Sequence, residues 1–253
     1  MSTHPGPPAG GAPLGADEAE VQAGRRFGAR ALVIFGGVFV TAVLFAIVVS
    51  LVVSSSPTLL RLDRSTADRF HRYALSHHGW TSAMRVVSDV GSPGAWWLIL
   101  GVAAAWLAYR RLWRLVAFVV VAGVGSSLLN HLIKATVDRA RPALNDPVAV
   151  ASGKSFPSGH AQSAIVGYGI LLVVFLPVIS RGWRALVVAV AVVLVLLIGL
   201  SRIALGVHYL SDVVGAYLVG TVWLAGLTAA FRAWRREARP PPARSAATAG
   251  SVP

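Results

Sequence analysis

Three short stretches hold the residues able to do chemistry: "KATVDRARP" from Lys134, "SFPSGHAQSA" from Ser155 and "SRIALGVHYLSD" from Ser201. Lys134, Arg141 and Arg202 are three cations suited to a multiply charged oxyanion. Arginine forks bind phosphoryl oxygens two at a time, and lysine acts as a point charge. Ser158, Gly159 and His160 form a turn that opens directly into an apolar run, where backbone N–H groups at a helix start face an anion. His208 precedes Asp212 by four residues, placing both on one helical face. A histidine oriented by a carboxylate is a nucleophile or base, and a second histidine, His160, is then free to protonate a leaving oxygen. Together these residues describe a phosphate site.

Each group also has a plainer reading. Lys134, Arg139 and Arg141 could snorkel at a helix end. Ser158 could be only an N-cap and His160 a polar first-turn residue. His208 and Asp212 could be a satisfied pair joining two helices, although ionisable groups inside a membrane are costly and usually functional.

The surrounding chain decides between these readings. Its 253 residues are 55% hydrophobic and 13% charged, with a mean hydropathy of +0.66, which is far from a soluble surface. About six apolar runs approach the ~20 residues that cross a bilayer: roughly 31–53, 94–109, 115–133, 161–180, 185–201 and 207–231. The expected fold class is therefore all-α, a polytopic membrane helix bundle. Residues 1–24 and 237–253, rich in Pro, Gly and Ala, read as disordered tails around a membrane domain at 25–236. The first run exceeds the length of a signal-peptide core and reads as an uncleaved helix. Residues 63–80 mix charge with periodic apolar residues, as an amphipathic helix at the interface would; His71, His77 and His78 read as surface residues.

Six spans put all three polar stretches on the same side of the membrane, which separate structural roles would not require. Lys134 and Arg141, seven apart, fall near one face of a helix, while Pro142 disfavours helix at Arg141 itself. With the N-terminus cytoplasmic, 13 of the 23 basic residues lie inside. Setting Lys134, Arg141 and Arg202 aside leaves 13 against 7, in line with the positive-inside rule. The polar stretches then face outward and both termini inward.

Other classes fall away. The net charge of +13 comes mostly from arginines at the ends of apolar runs, where they meet anionic headgroups rather than nucleic acid. There are no cysteines, hence no disulfide and no thiolate metal site. The ten acidic residues are scattered, which argues against a two-metal phosphatase.

At these residues the chain resembles the type 2 phosphatidic acid phosphatase (PAP2) superfamily, whose signature is K-x6-R-P, P-S-G-H and S-R-x5-H-x3-D. All eleven fixed positions match in order and spacing from Lys134 to Asp212. The resemblance implies a PAP2/haloperoxidase-like helical core in which Lys134, Arg141 and Arg202 hold the phosphoryl oxygens, assisted by Ser158 and Gly159. It implies that His208, oriented by Asp212, attacks phosphorus, that His160 protonates the leaving group, and that no metal or cofactor takes part. The family includes soluble vanadate-dependent haloperoxidases, but six apolar runs point to its membrane lipid phosphatases. Lys154 is the chain's one other lysine and is placed near the same pocket by proximity to the turn alone.

The expected partners are a lipid phosphate and membrane lipids; oligomeric state stays open. Ala- and Arg-rich usage suggests a GC-rich bacterial genome and an inner-membrane location. It favours a polyprenyl (undecaprenyl) diphosphate as substrate, ahead of phosphatidate or phosphatidylglycerol phosphate. A lipid phosphotransferase and a transporter or scaffold with a retired site are the alternatives.

Overall fold

A computed structural model describes residues 14–237 of the chain, which form eight α-helices. The chain divides into two compact units, one ending at Val40 and one beginning at Thr41. The first is described from Leu14, where α1 (Leu14–Val53) begins. Residues 14–24 are thus helical rather than part of a tail, as Ala- and Glu-rich sequence favours. Residues 1–13 and 238–253, the rest of the two expected tails, lie outside the described residues.

The second unit carries the end of α1 and then α2 (Pro57–Ser76), α3 (His78–Val90), α4 (Pro93–Tyr109), α5 (Trp113–Val137), α6 (Gly159–Phe175), α7 (Arg181–Ala204) and α8 (Leu210–Glu237). Five spans are each long and apolar enough to cross a membrane: Phe35–Val53, Trp113–Val137, Gly159–Val178, Arg181–Ala204 and Leu210–Trp234. The short second run reaches span length only by joining α3 to α4 across a 41° bend. The break has local causes. Pro93 opens α4, where a missing N–H costs nothing, and Ser92 caps it by accepting from the Ala95 N–H at 3.2 Å. The protein is a polytopic membrane helix bundle.

The segment read as one interfacial helix at 63–80 is instead two helices that part at His77. On α2 the stripe Asp63, Ala67, His71 and Ala74 is buried, and the helix packs against α7 and α8. The surface reading therefore fails for His71. Its Nε2 lies 2.7 Å from the Asn145 carbonyl, tying α2 to the long connection between α5 and α6. His77 and His78 are exposed.

Between helices in lipid there is no hydrophobic driving force, so close approach and polar contacts hold the bundle. Gly167 on α6 lies so close under Trp96 of α4 that any Cβ would collide with the indole. Around this contact Leu100, Leu107, Phe118, Val119, Ile170, Val174 and Phe231 form the apolar core. Nearer the polar stretches, the buried Gln162 bridges α6 to α5. It accepts from Asn130 Nδ2 at 2.8 Å and donates to the Ser126 carbonyl at 2.9 Å. Tyr217 of α8 donates to the Val195 carbonyl of α7 at 2.7 Å. These bonds fix α5, α6, α7 and α8 at the level where Lys134, His160, Arg202 and Asp212 project.

Candidate active site

All three polar stretches converge, though two of them do so differently from the helical spacing expected. α5 stops at Val137, where Asp138 adopts a left-handed conformation, φ 48°. Arg139 and Arg141 therefore lie on the connection that follows, and Arg141 does not share a helical face with Lys134. Pro142 explains an early end, since it disfavours helix in the residue before it. His208 likewise precedes α8 and is not helical. After α7 the chain reverses through Gly206, whose φ of +69° suits glycine, and the Val207 and His208 N–H groups donate back to the Arg202 carbonyl at 3.2 and 3.3 Å. That turn seats His208 beside Arg202 and leaves Asp212 in the first turn of α8.

The connection between α5 and α6 is pinned where it returns. Phe156 is fully buried and occupies the space that a Cβ on Gly215 of α8 would need, with its Cε2 only 2.5 Å from that position. The Ser158 N–H then donates to the Asp212 carbonyl at 3.0 Å, so the turn opening α6 is bonded directly to the start of α8.

His208 is 2% exposed. Its Nδ1 lies 3.4 Å from Asp212 Oδ2, and the buried Ser155 hydroxyl bridges the pair. Ser155 Oγ donates to Asp212 Oδ2 at 2.5 Å and sits 3.4 Å from His208 Nδ1. On the other side of the ring, Arg141 Nη1 is 3.1 Å from His208 Nε2. A guanidinium only donates, so Nε2 is the unprotonated nitrogen and Nδ1 carries the proton toward Ser155 and Asp212. Burial pushes the imidazole down to about 4; Asp212 opposes that shift, and Arg141 and Arg202 add to it. At neutral pH the ring is uncharged with its Nε2 lone pair facing the cations.

The cations are held at different depths. Arg141 is anchored by the carbonyls of Ser152, Gly153 and Val207 at 3.0, 3.0 and 2.8 Å. Lys134 Nζ donates to the Lys154 carbonyl at 2.8 Å. Arg202, 8% exposed, donates to the Ser88 hydroxyl of α3. Its Nε and the Ser158 hydroxyl are buried without a hydrogen-bond partner. Arg202, Arg141 and Lys134 are the charged neighbours that His160 feels from the first turn of α6. Lys154 does not join them. Its ammonium pairs with Asp138 at the exposed edge, and only its carbonyl serves the site.

Four contributors escaped the sequence reading: Asp63, Ser88, Arg139 and Ser155. Arg139, given there no role beyond the alternative of snorkelling at a helix end, is 10% exposed and donates to Asp212 Oδ1 and Asp63 Oδ2, each at 2.7 Å. Burial works against its charge, yet Asp212 and Asp63 together hold its pKa above the usual arginine value. Arg139 and Ser155 stood inside the quoted stretches. Asp63 and Ser88 lie far away in sequence, and an acidic residue on the buried stripe of an amphipathic helix was the one signal for Asp63. Among the described residues no cluster of three or more His, Asp or Glu side chains is arranged to hold a metal ion.

Comparison with known proteins gives a consistent picture. Residues 111–236 match the family model described as the PAP2 superfamily. The chain is 36% identical over 126 residues to phosphatidylglycerophosphatase B of Bacillus subtilis, a match spanning 49% of this chain and 61% of that protein. It is 37% identical over 153 residues to decaprenylphosphoryl-5-phosphoribose phosphatase of Mycobacterium tuberculosis, spanning 57% of this chain and 77% of that one. The solved structure of a transmembrane PAP2-type phosphatidylglycerolphosphate phosphatase from Bacillus subtilis superposes with a TM-score of 0.67 at 25% identity, covering 80% of this chain and 97% of the other.

Proposed function

Because the chain belongs to the PAP2 superfamily, in its membrane lipid phosphatase branch, we propose that it hydrolyses a lipid phosphate through a phosphohistidine on His208, without a metal. The observation that carries this reading is the state of His208: neutral, with its Nδ1 proton toward Ser155 and Asp212 and its Nε2 lone pair toward the Arg141 guanidinium.

In this reading Lys134, Arg141 and Arg202 take the phosphoryl oxygens, together with the Ser158 hydroxyl and the Gly159 N–H. The bound anion displaces Arg141 from Nε2. The Nε2 lone pair attacks phosphorus, the bond to the leaving oxygen breaks, and His160, protonated once the bound phosphate offsets the cations around it, gives that oxygen its proton. Asp212 stabilises the imidazolium that develops. Water, deprotonated by His160, then attacks the phosphohistidine, releasing phosphate and restoring both histidines.

A lipid substrate suits the location, since a headgroup phosphate lies at the depth of the helix ends while its chains stay in the bilayer. The relatives' names describe phosphates on glycerol and on ribose. They support a phosphomonoester of a lipid headgroup ahead of the polyprenyl diphosphate expected from the sequence. Both termini are taken as cytoplasmic, with the site on the extracytoplasmic face of a bacterial inner membrane and the exposed arginines of α2 at headgroup level.

The test is phosphate release by detergent-purified protein in excess EDTA, offering phosphatidylglycerol phosphate, phosphatidate and a polyprenyl diphosphate in parallel, with His208→Ala as control. Release that survives EDTA and vanishes in the variant supports the reading. Release that needs added metal, or persists in the variant, overturns it.

A further inference from the structure

The signature residues leave α2 without a role, yet this helix buries a carboxylate. Asp63 is completely shielded and accepts from the Ser211 N–H at Oδ1, 3.0 Å, and from the Ser211 hydroxyl at Oδ2, 2.5 Å. Its Oδ2 also takes Arg139 Nη2 at 2.7 Å. Arg139 Nη1 continues to Asp212 Oδ1 at 2.7 Å and to Ser211 Oγ at 2.6 Å, and its guanidinium lies over the Tyr209 ring, 4.5 Å from the centroid. With Ser155 and the Tyr209 N–H (2.8 Å) on the other oxygen, Asp212 has donors on both oxygens and no freedom to rotate.

We propose that Asp63 and Arg139 are positioning residues of the phosphatase: a buried carboxylate–guanidinium–carboxylate relay that locks Asp212 and sets how much of its negative charge reaches His208. The inference rests on the function proposed above. Its physical basis is that all three charges are removed from water, so each acts at close range with little screening. Arg139 shares its positive charge between two carboxylates. Remove Asp63, and that charge falls wholly on Asp212, which then pulls less on the Nδ1 proton and leaves His208 a weaker nucleophile. Remove Arg139, and Asp212 acts on His208 at full strength while losing its anchor. The remaining groups that bear on His208 are Arg141, Arg202 and His160; neither substitution changes them. The relay also makes α2 part of the site, because the carboxylate that terminates it belongs to that helix.

The experiment compares wild type, Asp63→Asn, Arg139→Gln and the double variant, each purified in detergent and checked for monodisperse elution. kcat, KM and vanadate affinity are measured at neutral pH, and kcat/KM is followed down the acid limb, where protonation of His208 removes the nucleophile. Each single variant is expected to lose about 10- to 100-fold in kcat, as misplacement of a reacting group does. KM and vanadate affinity should stay within about threefold, since the phosphate donors are untouched. The acid limb should move in opposite directions, downward in Asp63→Asn and upward by about one pH unit in Arg139→Gln, the size expected of a close charge. The double variant should bring it back toward wild type. Unpairing a buried charge can prevent folding; if Arg139→Gln is lost that way, Asp63→Asn decides, because it conserves shape and leaves the Arg139–Asp212 pair intact. Unchanged kcat in Asp63→Asn, or acid limbs that do not move apart, overturns the relay. A wild-type protein that releases no phosphate, or a fully active His208→Ala, instead removes the function on which it stands.

Discussion

The two halves of the site are built differently. On the histidine side every polar atom is committed: Asp212 takes Arg139, Ser155 and the Tyr209 N–H, and Ser155 spans the gap to His208. On the phosphate side the buried Arg202 Nε and Ser158 Oγ have no partner, and Arg141 rests on backbone carbonyls and on the nucleophile itself. Buried polar groups are normally paired, so the contrast sorts the residues by task. In the proposed reaction the first half holds the nucleophile in one tautomer before substrate arrives, and the second keeps donors free for an anion.

Substitutions that separate the halves test this contrast. The largest effect belongs to His208→Ala, which should cost about four powers of ten or more in kcat, as loss of a nucleophile does, while vanadate still binds to the intact cations. Loss of vanadate binding in that variant would merge the two halves. Next comes His160→Ala, expected to slow a lipid alkoxide leaving group about 10²- to 10⁴-fold, the usual range for general acid catalysis. An activated aryl phosphate should suffer far less, and equal losses remove His160 from the acid's role.

Arg202→Gln acts on the other half. Hydrogen bonds to charged groups contribute about 1.5–3 kcal/mol, so vanadate and substrate should bind roughly ten- to a hundredfold more weakly. The acid limb should move slightly to higher pH, because Arg202 helps to depress His208. A fall in kcat with unchanged vanadate affinity would place Arg202 on the wrong side of the comparison. The smallest effect is that of Ser155→Ala. It deletes one of several donors to the Asp212 carboxylate, whose other partners remain, so the loss should fall at the low end of that range, about 1.5 kcal/mol or roughly tenfold in rate, and should leave vanadate affinity alone.

The pH dependence of the wild type sharpens the same point. In the proposed mechanism His208 attacks only when neutral, and burial pushes it down to about 4. Activity should therefore hold from neutral pH down past 6 and fall only as the pH approaches 4. A limb centred near 6.5 would mean that the ring is not shielded as described.

Much of the candidate site was legible in the sequence because its residues announce themselves by type: two histidines, an aspartate and three cations in segments otherwise apolar. Five of the six runs were legible for the same reason, being long enough to have no other stable placement, whereas the run at 94–109 reaches span length only together with α3. What stayed hidden depended on where the chain turns. Periodicity placed His208 on a helix and Arg141 near the face of one that Pro142 was expected to end, whereas Asp138 and Gly206 end the regular structure before each of them. Asp63 and Ser88 were invisible as site residues because their partners, Arg139 and Arg202, stand 76 and 114 positions away. The interfacial reading of residues 63–80 registered the amphipathic pattern but not that its inner face meets the bundle rather than lipid.

The central claim is that His208 itself carries the phosphoryl group. The most direct measurement is rapid quenching of the protein into alkali during turnover of a lipid labelled with ³²P in its terminal phosphate, followed by mapping of the label. The account predicts acid-labile label on the peptide containing His208, formed and lost at rates compatible with turnover and absent from His208→Ala. Sustained turnover without labelled protein, or label on another residue, would contradict it.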